Sequence, residues 1–117
     1  MPGEDVERAA RTSKLGTLAL RSARAGEAHV IELIGELDLA GAPHLEEELR
    51  RVEAGDAQAI VVDLSGLEFI DSTGIRLLVM ASERSQEGRF SLVRGPQQVH
   101  RVFEITDLAR RLPFVDA

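Results

Sequence analysis

Asp71-Ser72-Thr73-Gly74 sets a carboxylate, two hydroxyls and a glycine side by side, immediately ahead of an apolar segment with helical spacing. A helix that starts here offers unpaired N–H groups and a partial positive charge, which suit an anion. Several catalytic readings of the tetrad fail on spacing. An aspartic-protease signature needs a hydroxyl residue and then Gly directly after Asp, with a second carboxylate in partnership, and here one extra residue intervenes. Ser72 lacks the G-x-S-x-G elbow, and His29, His44 and His100 are spread over a strand, an early helical turn and a later helix. Gly66 and Gly74 fit neither a P-loop nor a G-x-G-x-x-G fingerprint. The expectation is no enzyme, no catalytic residue, no cofactor and no metal site.

Helix capping accounts for part of the tetrad, since one good cap stabilises by about 1 kcal/mol. Capping uses only one of the three polar residues, however. Gly74 costs about 1 kcal/mol relative to Ala inside a helix, which suggests that another backbone approaches closely there. From the residues alone, a plain cap and an accessible binding site both stand.

The elements that must position this stretch follow from periodicity. Ala59–Leu64 reads as a buried strand, followed by a short loop and then the helix. Leu15–Arg24 and Ala28–Gly35 alternate like two strands of a hairpin around Ala25-Gly26-Glu27. Gly35–Gly41 is a loop, and Pro43 suits the first turn of a helix whose stripe is Ala42, Leu45, Leu49 and Val52, capped by Gly41 or Ala42. Glu46 with Arg50 and Glu47 with Arg51 are its i,i+4 pairs, on a solvated face. Arg89–Arg94 is a short strand, Val99, Val102 and Phe103 mark a helix, and Thr106-Asp107 suit the cap of one more turn. Pro113-Phe114-Val115 suits an edge strand. The predicted fold is α/β, a mixed and mostly parallel sheet with packed helices.

The chain has 117 residues, of which 44% are hydrophobic, enough for one core. Residues 1–14 read as a polar, flexible N-terminal tail and 15–117 as the domain. With 20 acidic against 14 basic residues, net charge −6, no direct nucleic-acid contact is expected, because displacing counterions requires clustered positive charge. Cysteine is absent, no secretory signal or membrane span is legible, and a cytoplasmic location is expected.

Leu64-Ser65-Gly66-Leu67-Glu68-Phe69-Ile70-Asp71-Ser72-Thr73-Gly74-Ile75, preceded by Ile60-Val61-Val62-Asp63, resembles the signature of the STAS domain of bacterial anti-sigma factor antagonists. Gly35-Glu36-Leu37-Asp38 followed by Ala42-Pro43 is similar to a second block of that family, and the resemblance runs from about Leu15 to Val115. It implies the STAS fold and an antagonist that binds an anti-sigma factor and so releases a sigma factor. That partner is also a serine kinase; by resemblance it phosphorylates Ser72, and a phosphatase resets the switch. Such partner switching serves stress-response or sporulation signalling. Asp38 maps to an acidic residue in the loop beside the serine and Asp71 to the one before it. Two departures stand out: Gly41 replaces a threonine of many relatives, and a final helix common among them is expected to be missing or vestigial.

On the helix after Gly74, Ile75, Leu78 and Val79 form the expected core stripe, while Thr73, Arg76, Glu83 and Glu87 fall opposite. The expected partner-binding set is Asp38, Asp71, Ser72, Thr73, Gly74, Arg76 and Met80. Met80 is compatible by angle with either a partner contact or the core flank. The second function class is a STAS module that is never phosphorylated, a scaffold or accessory subunit of a lipid-transport ATPase. The sequence does not set the oligomeric state.

Overall fold

A computed structural model describes residues 11–115. Six strands form one sheet in the order β1-β2-β3-β4-β5-β6: β1 Arg11–Leu15, β2 Leu18–Ala25, β3 Ala28–Leu37, β4 Ala59–Ile70, β5 Phe90–Val93 and β6 Phe114–Val115. The first three are antiparallel neighbours, and the pairs from β3 to β6 are parallel. The parallel strands are joined through α1 Ala42–Glu53, α2 Ser72–Arg84 and α3 Gln97–Ile105. Each crossover steps the same way across the sheet, so the right-handed rule puts all three helices on one face. This is the mixed, mostly parallel α/β sheet that the periodicity predicts.

The core lies between that face and the helices. Leu18, Leu20, Ile31, Leu33, Ile60, Val62 and Leu92 alternate inward from the strands and meet Leu45, Leu49, Leu78 and Phe103, all at most 1% exposed. Each such side chain stabilises by about 1.5–3 kcal/mol relative to exposure. On α2 the buried residues are Gly74, Leu77, Leu78 and Ala81, with Ile75 and Val79 partly buried at the flank. The core stripe is therefore centred one residue further round than Ile75, Leu78 and Val79 suggest. His100 sits edge-on to Phe114 with ring centroids 4.9 Å apart, and burial holds its imidazole below the ordinary pKa, with Arg94 adding to the effect.

Several local expectations need correction. Residues 1–10 of the expected tail lie outside the described residues, but Arg11–Lys14 belong to β1, which pairs with β2 from Arg11↔Ser22 to Leu15↔Leu18. An edge strand needs backbone partners more than apolar side chains, and Ser13 also reaches the His44 ring at 2.7 Å. Consequently the expected single strand from Leu15 to Arg24 is broken by the Gly16-Thr17 turn. Ser65–Ile70 is strand rather than loop: register shifts against β3 bring Leu64, Leu67 and Ile70 all inward at intervals of three, and that spacing hides a strand from a period of two.

Arg51 bonds Glu48 rather than Glu47, at 2.6 and 3.1 Å, because Glu48 is the carboxylate tucked under the helix and Glu47 points to solvent. Thr106 closes α3 instead of starting a new turn, its hydroxyl donating to the Val102 carbonyl at 2.8 Å. Asp107 then takes a positive φ of 64°, which ends helical geometry there.

Candidate functional site

Two loops meet at the carboxyl end of the parallel strands. One leaves β3 and leads into α1; the other leaves β4 and becomes α2 within a single residue, Asp71. Asp71 joins them. One carboxylate oxygen accepts the Gly74 N–H at 3.1 Å and caps α2, and the other accepts the Leu39 N–H from the neighbouring loop at 3.2 Å. Its own N–H donates to the Leu37 carbonyl at 3.1 Å. A single side chain thus fixes the start of α2 relative to the β3–α1 loop.

Asp38 organises its own turn. Its side chain accepts the N–H groups of Ala40 and Gly41, both at 3.1 Å, while its carbonyl accepts Ala42 N–H at 2.8 Å. Gly41, the residue preceding α1, supplies no side-chain cap, as expected, and Asp38 satisfies its N–H from three residues upstream. The Asp38 carboxylate therefore faces the backbone of its own loop.

Ser72 is the first residue of α2 and is exposed, and its hydroxyl makes no hydrogen bond to any described residue. The N–H groups of Ser72 and Thr73 belong to the first turn, where no intrahelical acceptor exists. Gly74 lies buried beneath them. A Cβ there would stand 2.7 Å from Leu37 Cγ and 3.0 Å from Ile70 Cγ1. The close approach expected at Gly74 is thus made by buried side chains and not by another backbone, and Gly74 seats the helix start against the core.

Beside Ser72, a groove of about 320 Å³ runs between the start of α1 and the outer side of α2. Thr73, Arg76 and Met80 line it from α2, opposite Leu39, Pro43 and Glu46. Met80 is 44% exposed, which resolves its position in favour of the surface, and Leu39 is 73% exposed. Of the expected residues, Thr73, Arg76 and Met80 line this groove; Ser72 precedes Thr73 in the chain and does not line it, and Asp38 and Asp71 fix the two loops that lead into α1 and α2. Leu39, Pro43 and Glu46 were not expected. Leu39 carried a signal, an apolar side chain in a polar turn between Asp38 and Gly41.

The histidines stay apart: His29 bonds Ser22 at 2.6 Å, His44 bonds Ser13, and His100 packs among phenylalanines. Among the described residues, no three His, Asp or Glu side chains are grouped to hold a metal, and no helix is long and apolar enough to cross a membrane.

Because Asp71 bonds both loops, its removal costs more than a cap. We expect Asp71→Ala to lower stability by about 2 kcal/mol, roughly 1 from the cap and 1 from the inter-loop bond, measured by urea unfolding. Asp71→Asn, which retains one acceptor oxygen, should lose about half as much. A loss of a few tenths in both would show that the bridge does not form.

A mixed sheet with three helices on one face, and an Asp-capped serine opening the helix after the central parallel strand, define a STAS domain. The chain belongs to the STAS domain family, whose model, described as "Mlab, STAS domain", matches residues 20–116. Among proteins of known role, it is similar to the anti-sigma-F factor antagonist RsfB of Mycobacterium tuberculosis, 40% identical over 80 residues, which cover 68% of this chain and 66% of RsfB. It is also 30% identical over 80 residues to the anti-sigma-B factor antagonist of Staphylococcus aureus, covering 67% of this chain and 74% of that one. The match thus spans just under two thirds of RsfB. The crystal structure of an anti-sigma factor antagonist from Mycobacterium paratuberculosis superposes with a TM-score of 0.77 at 28% identity, covering 83% of this chain and 84% of that one.

Proposed function

We propose that this protein is an anti-sigma factor antagonist that docks on an anti-sigma factor through the Ser72 end of α2, and that phosphorylation of Ser72 by that partner ends the docking. The observation that carries the reading is an exposed serine hydroxyl at the first position of a rigidly capped helix, next to a partly apolar groove. The similarity to two named antagonists supplies the partner class. While Ser72 is unmodified, the partner is held and a sigma factor is free. Phosphorylation adds a charge of roughly −1.5 to −2. The first-turn N–H groups steady that charge without refolding the domain, and its bulk and sign exclude the partner surface. A phosphatase restores the hydroxyl. The work takes place in the cytoplasm, where sigma factors act.

Incubation with ATP and candidate anti-sigma kinases from the same cell, followed by phosphate mapping by mass spectrometry, tests the reading. Transfer to Ser72 in the wild type and none in Ser72→Ala is the expected result. Failure of every kinase to modify Ser72, with stable assembly onto a transporter, would favour the second class, the accessory subunit of a lipid-transport ATPase.

Met80 offers an independent check on the docking surface. With its side chain 44% exposed, Met80→Glu should leave the melting temperature unchanged and weaken binding to the anti-sigma factor about tenfold or more by calorimetry. Undiminished binding would remove the groove from the interface.

A further inference from the structure

The three helices cover one face of the sheet; the other face carries no described helix. Cross-strand pairing determines which side chains share this open face. One row runs from Thr12 through Arg21, Glu32 and Asp63 to Val93. The row on one side holds Ala23, Val30, Val61 and Ser91, and the row on the other holds Lys14, Ala19, Ile34 and Gly66. Val30, Val61 and Val93 are only partly buried and Ile34 is 43% exposed, whereas their inward neighbours Ile31, Leu33, Ile60 and Val62 are fully buried. The open face is thus two rows that are apolar in the middle, with Lys14 and Ser91 at their ends, flanking a charged one.

The charged row changes sign across the sheet. Arg21 stands on β2, Glu32 and Asp63 stand on β3 and β4, and Lys14 adds positive charge on the β1 side, one row away. Such a face complements its own image. A 180° turn about an axis parallel to the strands and level with the β2–β3 boundary keeps the rows at the same height and reverses the strand order. Arg21 of each copy then faces Glu32 of the other. Ala23 meets Val30 and Ala19 meets Ile34, so the apolar rows come into register, and the Lys14 side approaches Asp63. Two sheets stacked face to face in this way pack about 10 Å apart with strands nearly aligned.

We propose that the open sheet face is the interface of a two-fold symmetric homodimer, held by reciprocal Arg21–Glu32 pairs between apolar rows. This inference rests on the sheet and is independent of the phosphorylation reading. The rotation preserves strand direction, so both Ser72 sites lie at the same end of the dimer and stay open to partners.

Sedimentation equilibrium on the full chain tests it. The wild type should show a monomer–dimer equilibrium with a Kd below about 1 mM. Arg21→Glu and Glu32→Arg should each weaken association at least about tenfold, since like charges then oppose one another across the axis. Mixing the two variants one to one should restore association, because each new charge then meets its opposite. Circular dichroism confirms that both are folded, and Ile34→Glu, which adds repulsion without touching the ion pairs, should also give monomers. The proposal is overturned by a wild type that stays monomeric to about 1 mM, which would leave the face to the chain's first ten residues or to another protein. Variants that associate as the wild type does, or a mixture that fails to recover, overturn it equally.

Discussion

Ser72→Glu should abolish most of the affinity for the anti-sigma factor, by roughly a hundredfold or more, while the domain melts at its wild-type temperature. Ser72 is exposed and its hydroxyl bonds no described residue, so the fold loses nothing when the side chain changes. A carboxylate at the first helical position is even favoured by the helix dipole, by up to about 1 kcal/mol. The partner experiences the opposite effect. A charge inserted into an interface that evolved around a neutral hydroxyl must be desolvated or repelled, which costs several kcal/mol, and about 2.7 kcal/mol corresponds to the hundredfold loss. Glutamate carries one negative charge where phosphoserine carries nearly two, so the modified protein should bind more weakly still. Titration calorimetry with the isolated anti-sigma factor is the measurement, with Ser72→Gln as the neutral control. Wild-type affinity in Ser72→Glu would sink the charge switch.

Gly35→Val should destabilise the fold by about 4 kcal/mol, the largest single loss expected outside the hydrophobic core. Gly35 has φ +98°, where a β-branched residue is strained, and a Cβ there would lie 2.2 Å from the Thr17 carbonyl oxygen. That oxygen also accepts the Glu36 N–H at 3.2 Å, so it cannot withdraw without breaking a hydrogen bond at the end of the β2–β3 ladder. Gly26→Ala separates the two causes. Gly26 has φ +64° with nothing within 4 Å of its Cβ position, so it should lose only the conformational part, about 1–2 kcal/mol. Thermal unfolding of both variants gives the comparison, and equal losses would mean that the Thr17 contact is soft. Gly35 lies three residues before Asp38, so a refolded Gly35→Val should also bind the partner poorly.

Much of the architecture was legible because it rests on local repetition. The alternation in β2 and β3, the stripe of Ala42, Leu45, Leu49 and Val52, and the start of a helix at the Asp71-Ser72-Thr73 cluster are short-range patterns, and each appears where it was expected. Patterns failed where a distant partner sets the geometry. Ser65–Ile70 is strand only because β4 bulges twice against β3, and Arg11–Lys14 is strand only because β2 offers an edge. Glu48 wins Arg51 from Glu47 because the core takes in one face of α1.

The candidate site divides along the same line. The sequence alone determined that a helix opens after the cap-forming cluster Asp71-Ser72-Thr73, since this is a matter of residue type and spacing, but not which of the three caps it. Only the tertiary structure decided that the second oxygen of Asp71 belongs to Leu39, that Gly74 faces Leu37, and that Met80 and Leu39 share one groove. Those contacts join residues more than 30 positions apart across the β3–α1 and β4–α2 connections. Hydrogen-bond and packing partners at such separations leave no period in the chain, and they exist only once the sheet has brought the two loops to the same end.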